Sequence, residues 1–539
     1  MKTLKMYIKQ ILSTSVSILV FVVLLAVPIS VFSQQAPGID WQKCIGGSNE
    51  DIAFSVIQTS DGGYAIAGYS YSKDGDVSEN KGYRDAWIVK LNSSKVVEWH
   101  KSLGGNNDDE ARSIVQTFDG GYAVTGYTFS PDGDFSSNHG EMDTWVAKLS
   151  PSGSIEWLKC LGGSGSEWGN SIIQTQDSGY AITGYASSND GDVSGNHKGI
   201  DAWVIKLNSF GSIIWQKCLG GTGEDALNSI IQTTDGGLTL AGRTESTNGD
   251  VSGFHGGRGS DIWMVRLDAT GNIKWQKCLG GSSSEEASTI IHTSDGGYAV
   301  AGWTNSNDGD VSGFHGFADF WIIKLDSSGG IQWQKCAGGS NFDQAVSIIE
   351  TSDKGYAVEG VTYSNDGDVS GNRGETDGWL LKLNANGNFL WQECLGGTRS
   401  DWLYSIIENS AHEYIIAGYE CSLDEGFSNH GGPDAWLLDL KLSSDVQSAS
   451  MSNNALALST YPNPAAKKIT LGYDLPKVSA VGISVYNITG EKMQEIQRKE
   501  EEAGDHELLL DLNGFSAGSY FIKVEACGVV ESTKIEVTK

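Results

Sequence analysis

Apolar and polar positions fall into short runs that recur along most of the chain. One unit reads SIIQTTDGGLTLAGRT, a long polar loop, SDIWMVRLDATGNIKWQKCLGG, then a short acidic loop. Four apolar, β-branched stretches stand out in it: Ser229–Thr233, Leu238–Thr244, Asp261–Asp268 and Ile273–Leu279. TDGG between the first two, and DATGN between the last two, supply the glycines that tight hairpins need for positive φ. No stretch runs beyond about eight residues without a turn signal, which excludes helices. Apolar residues lie on both faces of these strands, so each sheet is expected to be covered on both sides.

Trp41, Trp99, Trp157, Trp215, Trp275, Trp333 and Trp391 are spaced 58, 58, 58, 60, 58 and 58 residues apart. A fixed period of this size means stacked or circular units, and four-stranded antiparallel sheets packed face to face make a β-propeller. The third strand carries Asp-x-Trp seven times: Asp85/Trp87, Asp143/Trp145, Asp201/Trp203, Asp261/Trp263, Asp319/Trp321, Asp377/Trp379 and Asp434/Trp436. The last, DAWLLDLKL, runs into the polar SSDVQSASMSNN without a Trp-bearing fourth strand. The spare strand lies at the other end of the repeats, in GIDWQKCIGG at 38–47, which repeats the closing words of the other units. The pattern therefore predicts an all-β chain with a seven-bladed propeller over 36–442, its last blade closed by the N-terminal strand. Closure of this kind leaves no unpaired sheet at the seam. A linker is expected at 443–455, and a small immunoglobulin-like β-sandwich of about seven strands at 456–539.

Composition narrows the class. With 539 residues the chain exceeds one ordinary domain, and 70 Gly, 17 Trp and only 19% charged residues are too aromatic for disorder. Residues 1–33 place Lys2, Lys5 and Lys9 before SILVFVVLLAVPISVF, the pattern of a secretory signal peptide; a retained membrane anchor is the other reading. Removing that segment takes the formal charge from −30 to −33. So acidic a surface disfavours nucleic acid and anionic lipid, and favours cations, cationic partners or plain solubility. Cys44, Cys160, Cys218, Cys278, Cys336 and Cys394 occupy one equivalent repeat position, filled by Ser102 in the remaining copy. Equivalent atoms in neighbouring blades usually lie beyond the roughly 7 Å Cα limit for a bridge, so these are read as small buried hydrophobes. Cys421 and Cys527 break the pattern and are left unassigned.

The candidate chemistry sits in the loops between strands 2 and 3 and between blades, which share one end of the ring. The 2–3 loops carry Asp74/Asp76, Asp132/Asp134, Asp190/Asp192, Asp308/Asp310 and Asp366/Asp368, with Asn248/Asp250 as a variant. Asp-x-Asp on a Gly loop offers hard oxygen ligands for calcium; the competing expectation is that the same side chains hold the loop by accepting backbone N–H groups. His139, His197, His255, His315 and His430, late in the same loops, are expected to pack rather than to bind zinc. An acid follows each Gly-Gly: Asp51, Asp109, Glu167, Asp225, Glu285, Asp343 and Asp401. These are expected to ring the axis on a ligand face, with Trp168, Trp303 and Trp402, which lie outside the repeat's Trp positions, as aromatic contacts beside Phe254, Phe314, Phe317, Phe320 and Arg373. No Gly-x-Ser-x-Gly elbow, His-Glu-x-x-His or phosphate loop occurs, and no catalytic residue is assigned.

The C-terminal stretch carries YPNP at 461–464, ISVYNITGEKM at 483–493, LNGFSAGSYFIKV at 512–524 and a closing KIEVTK. These residues resemble the type A C-terminal sorting domain of type IX secretion cargo proteins of Bacteroidetes, with Pro462, Asn463, Pro464, Gly518 and Tyr520 in its motifs. The resemblance implies export through the periplasm, recognition by the type IX translocon and its processing machinery, and release or attachment to surface lipopolysaccharide. KEEEAGDHE at 499–507 is more acidic than that pattern leads one to expect. The repeats are loosely similar to bacterial surface-protein propellers, and share a Gly-Gly and Tyr…Trp flavour with kelch repeats. The expected function is a secreted or surface-held binding or adhesion module for a glycan or protein. A glycan-active hydrolase or lyase and a structural surface-layer component are the alternatives.

Overall fold

A computed structural model describes residues 36–257, 259–422 and 430–441 of the repeat region. Beyond it, residues 459–461, 467–475, 477–487, 492–502, 504–526 and 529–538 are described. The expected leader, the 443–455 linker, Cys527 and Pro462, Asn463 and Pro464 lie outside the described residues. Contacts divide the chain into two units, Met1–Lys441 and Leu442–Lys539.

The repeat unit opens with β1 (Gly38–Ile45), followed by β2 (Asp51–Gln58), β3 (Tyr64–Ser70), β4 (Asp85–Leu91) and β5 (Val97–Leu103). Strands β2 to β5 form one antiparallel sheet in that order, and the same sheet recurs at 109–161, 167–219, 225–279, 285–337 and 343–395. The seventh sheet has only three consecutive strands, Trp402–Glu408, Tyr414–Glu420 and Asp434–Lys441; β1 completes it, with Cys44 opposite Trp436. β2 touches the inner strands of both the second and the seventh sheets, so the ring is closed.

β1 also brings the repeat's own chemistry to the seam. The Trp436 indole N–H donates to Gln42 Oε1 at 3.2 Å. Trp203, Trp263, Trp321 and Trp379 donate in the same way to the Gln of their own outer strands, at 2.7–2.9 Å. All seven Asp-x-Trp indoles are fully buried between sheets. At about 25 cal/mol per Å2 each contributes on the order of 4 kcal/mol, so apolar contact is the main bond between blades. The six equivalent cysteines are buried thiols, and Cys421 is a half-buried one.

The inner strands start earlier than the hydrophobic pattern predicts. The fourth blade's begins at Asp225, not Ser229, because its pairing to the next strand slips between Leu227 and Ser229. The same slip follows Ala53, Ala111, Gly169, Ala287, Ala345 and Leu403. Each is a β-bulge, in which one extra residue leaves the ladder and the period-two alternation is interrupted.

The C-terminal unit has a three-stranded sheet (Ser459–Tyr461, Lys468–Leu475, Gly504–Asp511) and a four-stranded one (Lys492–Glu501, Ser479–Asn487, Gly518–Ala526, Val529–Val537). Both contribute to one core, with Ile469, Leu471 and Leu510 meeting Ile483, Ile522 and Ile535. Gly518 opens its strand at φ +148°. The buried Tyr520 hydroxyl donates to the Ser516 carbonyl and accepts from the Ser516 N–H, both at 3.0 Å, which pins the preceding loop.

Candidate functional site

The seven acids after Gly-Gly are not a ligand face. Asp51, Asp109, Glu167, Asp225, Glu285, Asp343 and Asp401 are the buried first residues of the inner strands, or directly precede them, and all are 0% exposed. Each accepts the N–H of the second Gly at 2.7–2.9 Å. Hydroxyls of Ser72, Ser130, Ser246, Ser364 and Ser422 add further bonds at 2.7–2.8 Å. The expected ring of open carboxylates is thus a ring of loop clamps, used up by N–H and O–H donors that a buried carboxylate requires. Across the first Gly of six of the pairs lies the Asp of the preceding blade's Asp-x-Trp, also 0% exposed. Loss of hydration lifts members of both sets, Asp109 to about 7 and Asp319 and Asp377 to about 6.

The Asp pairs of the 2–3 loops likewise face inward to the backbone. Asp74, Asp132, Asp190, Asp308 and Asp366, and Asn248 in the variant, each accept a backbone N–H from the preceding inter-blade loop at 2.7–3.0 Å. Asp134, Asp192, Asp250 and Asp310 accept the first Gly N–H at 3.0–3.4 Å. Asp76 and Asp368 sit in the same loop position, each donating its N–H to the first Gly carbonyl. Among the described residues no three His, Cys, Asp or Glu side chains converge as a metal would need. Asp74, Asp132, Asp190, Asp308 and Asp366 hold the loop through backbone N–H groups, the competing expectation for these side chains. His139, His197, His255, His315 and His430 pack through Nδ1 against the Asp-x-Trp carboxylates at 2.6–2.9 Å.

What varies from blade to blade is elsewhere. The bulge residues Phe54, Arg112, Asn170, Asn228, Ser288, Val346 and Tyr404 break the sevenfold pattern and line an axial cavity of about 340 Å3. Inter-blade bonds fix the strands around it: Ser405, Ser113 and Ser229 hydroxyls accept the N–H of Val56, Ile172 and Ile290 at 3.1–3.3 Å. One wall is aromatic. Phe54 meets Tyr404 edge-on at 5.0 Å, and Trp402 stacks on Tyr419 at 6.3 Å. The Arg112 guanidinium lies 4.0 Å over Phe54 and 5.6 Å from Trp168, and donates to Glu110, which also holds Arg84 at 2.7 Å. The other wall is polar. Asn170 donates to Asn228 at 3.0 Å, and Asn228 to Glu286 at 2.8 Å.

The loop end carries a second asymmetric feature, a cleft of about 500 Å3 between the first two blades, lined by Tyr71, Tyr83, Phe129, Asn107, Asp108 and Glu141. Tyr83 is 67% exposed there. Trp303 lies apart from this cleft, 6.4 Å from Phe342, in a patch with Phe317 and Tyr363. Trp168 and Trp402 are brought to the axis, whereas Phe320 is a core residue packed 4.6 Å from Trp379. Sequence reasoning passed over the bulge positions and Glu359. The Glu359 carboxyl is wholly buried without a hydrogen-bond partner among the described residues, and burial pushes it well above the usual range. The other blades place Ala67, Thr125, Thr183, Ala241, Ala301 and Ala417 there, so a repeat alignment singles Glu359 out.

These observations define a closed seven-bladed β-propeller followed by a separate sandwich. Residues 459–538 match the family described as the secretion system C-terminal sorting domain. That part of the chain is a type IX sorting tail, and the protein is exported to the cell surface or beyond. Among curated proteins, the regulatory protein FlaEY of Caulobacter vibrioides is 24% identical over 219 residues, which is 36% of this chain and 21% of FlaEY. The chain thus matches about a fifth of that relative's length. Among solved structures, PorZ, an essential surface component of the type IX secretion system of Porphyromonas gingivalis, is 11% identical with a TM-score of 0.31. That match covers 89% of this chain and 69% of PorZ. A Bacillus subtilis family 43 arabinoxylan arabinofuranohydrolase gives 12% and 0.29 over 92% and 93%. A puromycin hydrolase gives 11% and 0.42 over 83% and 62%. At such low TM-scores no activity carries over. Among the described residues no helix is long and apolar enough to cross a membrane.

Proposed function

We propose that the exported propeller is a binding or adhesion module whose ligand, a glycan or a protein, docks on the end bearing the 2–3 and inter-blade loops. The cleft between the first two blades carries this reading: Tyr71, Tyr83 and Phe129 stand beside Asn107, Asp108 and Glu141 at positions the repeat does not require. Apolar faces beside a few fixed polar groups are the ordinary make-up of a recognition site. The acidic balance of the chain favours neutral or cationic ligands. The sorting tail supplies the route, through contact with the type IX translocon and its processing machinery, and attachment to surface lipopolysaccharide belongs to the same proposal.

A screen of residues 35–445 against glycans and extracellular matrix proteins tests it. Binding that falls about ten-fold or more in Tyr83→Ala and Phe129→Ala supports the cleft. Failure across both panels, with turnover of a polysaccharide instead, overturns binding in favour of catalysis.

A further inference from the structure

We propose that the axial cavity is a second recognition site, for the terminal residue of a neutral sugar chain; it rests on the reading of the propeller as a binding module. The bulge recurs in all seven inner strands, serine hydroxyls bridge three of the seams, and Asn170, Asn228 and Ser288 donate to carbonyls of the next inner strand. The side chains facing the cavity vary instead, and they segregate: Phe54, Tyr404 and Trp402 on one side, Glu286 and Gln344 on the other.

A pyranose presents the complementary pair of surfaces, an apolar C–H face and a rim of hydroxyls. The aromatic wall is rigid, since Trp402 is braced on Tyr419 and Phe54 on Tyr404. The polar wall is oriented but not exhausted. Asn228 donates to Glu286 Oε1 at 2.8 Å, and Oε2 forms a long ion pair with Arg243 Nε at 4.0 Å. Among the described residues the Gln344 side chain has no protein hydrogen-bond partner, and it lines the same cavity. A carboxylate oxygen held only by a long ion pair, and one amide, suit vicinal hydroxyls, which donate and accept at once. Arg112 already donates to Glu110 at 3.2 Å, and the Glu286 carboxylate in the cavity wall repels an anion. A neutral sugar therefore fits better than a phosphorylated or acidic one. The volume of about 340 Å3 is at the small end for ligand sites, so a chain terminus enters and a polymer interior does not.

The test is calorimetric titration of the exported chain with a panel of neutral methyl glycosides and short oligosaccharides. At least one neutral sugar is expected to bind, and to lose about ten-fold or more in affinity in Gln344→Ala and in Glu286→Gln, the cost of one or two missing hydrogen bonds. Circular dichroism melts confirm that both variants keep the fold. Three results overturn the inference: no sugar binds; a sugar binds with equal affinity in both variants; or acidic sugars bind better than neutral ones. If sugar binding is lost in Tyr83→Ala and untouched in Gln344→Ala, the cavity is excluded while the surface cleft stands. If only matrix proteins bind, the sugar site falls and the binding-module reading survives.

Discussion

Lys95 of the first blade forms an ion pair with Asp439 of the seventh, across the seam where the ring closes. Both residues depart from the repeat. In six blades this third-strand position is Lys90, Lys148, Lys206, Arg266, Lys324 or Lys382, paired to an Asp of the neighbouring hairpin turn. In the seventh the cation becomes Asp439, and Ala411 stands where the turn Asp belongs. Lys95 in turn occupies the place of Gly153, Gly211, Gly271, Gly329 and Gly387, at φ +61°. Gly153, Gly211 and Gly387 lie under the previous blade's outer Trp, where a Cβ would collide with the ring, and Gly271 and Gly329 lie close beside theirs. At the seam Lys95 reaches instead over Trp41, its ammonium 5.1 Å from the ring, to meet Asp439.

Lys95→Met is expected to destabilise the propeller by about 3 kcal/mol, because it strands a carboxylate that is only 1% exposed. The double variant Lys95→Met with Asp439→Leu is expected to recover most of that loss, because no charge is then left buried at the seam. Denaturant melts of the wild type and both variants check this; no recovery in the double variant would remove the pair from the closure mechanism.

Glu359→Ala is expected to stabilise the protein, by about 1–3 kcal/mol, since it removes an unpartnered buried carboxyl and installs the residue of four other blades. The folded pKa lies above the unfolded value, so the cost of this group grows as pH rises. The gain should therefore be larger at pH 8 than at pH 5, and urea titration at both values measures it.

The pH profile of the wild type follows from two opposed sets of carboxyls. Burial raises Asp109 to about 7 and Asp319 and Asp377 to about 6, so their contribution is complete below about pH 4 and is lost as pH rises through 6–7. Hydrogen bonds from Lys90 and Lys324 lower Asp61 and Asp295 to about 2; theirs is present above about pH 4 and lost as pH falls toward 2. The melting temperature is expected to peak between about pH 4 and 6 and to decline toward pH 8, and Asp109→Asn should flatten that decline. A midpoint rising steadily from pH 5 to 8 would contradict it.

Calcium chelation is expected to leave the melting temperature unchanged at matched ionic strength, because Asp74, Asp132, Asp190, Asp308 and Asp366 already serve backbone N–H groups. A clear downward shift with EDTA, reversed by calcium, would show that these loops rearrange around an ion.

Deleting residues 456–539 is expected to leave the propeller in the periplasm, which fractionation and surface labelling read directly. Export undiminished by the deletion would separate the tail from sorting.

The architecture was legible in the chain because it is periodic. Seven Asp-x-Trp strands against six following Trp-bearing strands required the donated β1, and the Cys44–Trp436 pairing follows from the same count. The recurring acids were also visible, but not their role. Whether Asp51 faces solvent or a cage of Gly47 N–H, Ser70 and Ser72 depends on the 2–3 loop folding back over the inter-blade turn, contacts made about 20 residues apart. The axial cavity was hidden for a different reason. A bulge shifts Phe54, Arg112, Asn228 and Tyr404 out of the alternation by which strand faces are read, and no single blade contains a wall. The linear chain determined the number of sectors and their closure. Only the ring, by bringing bulges from seven distant segments to one axis, decided which side chains share a space.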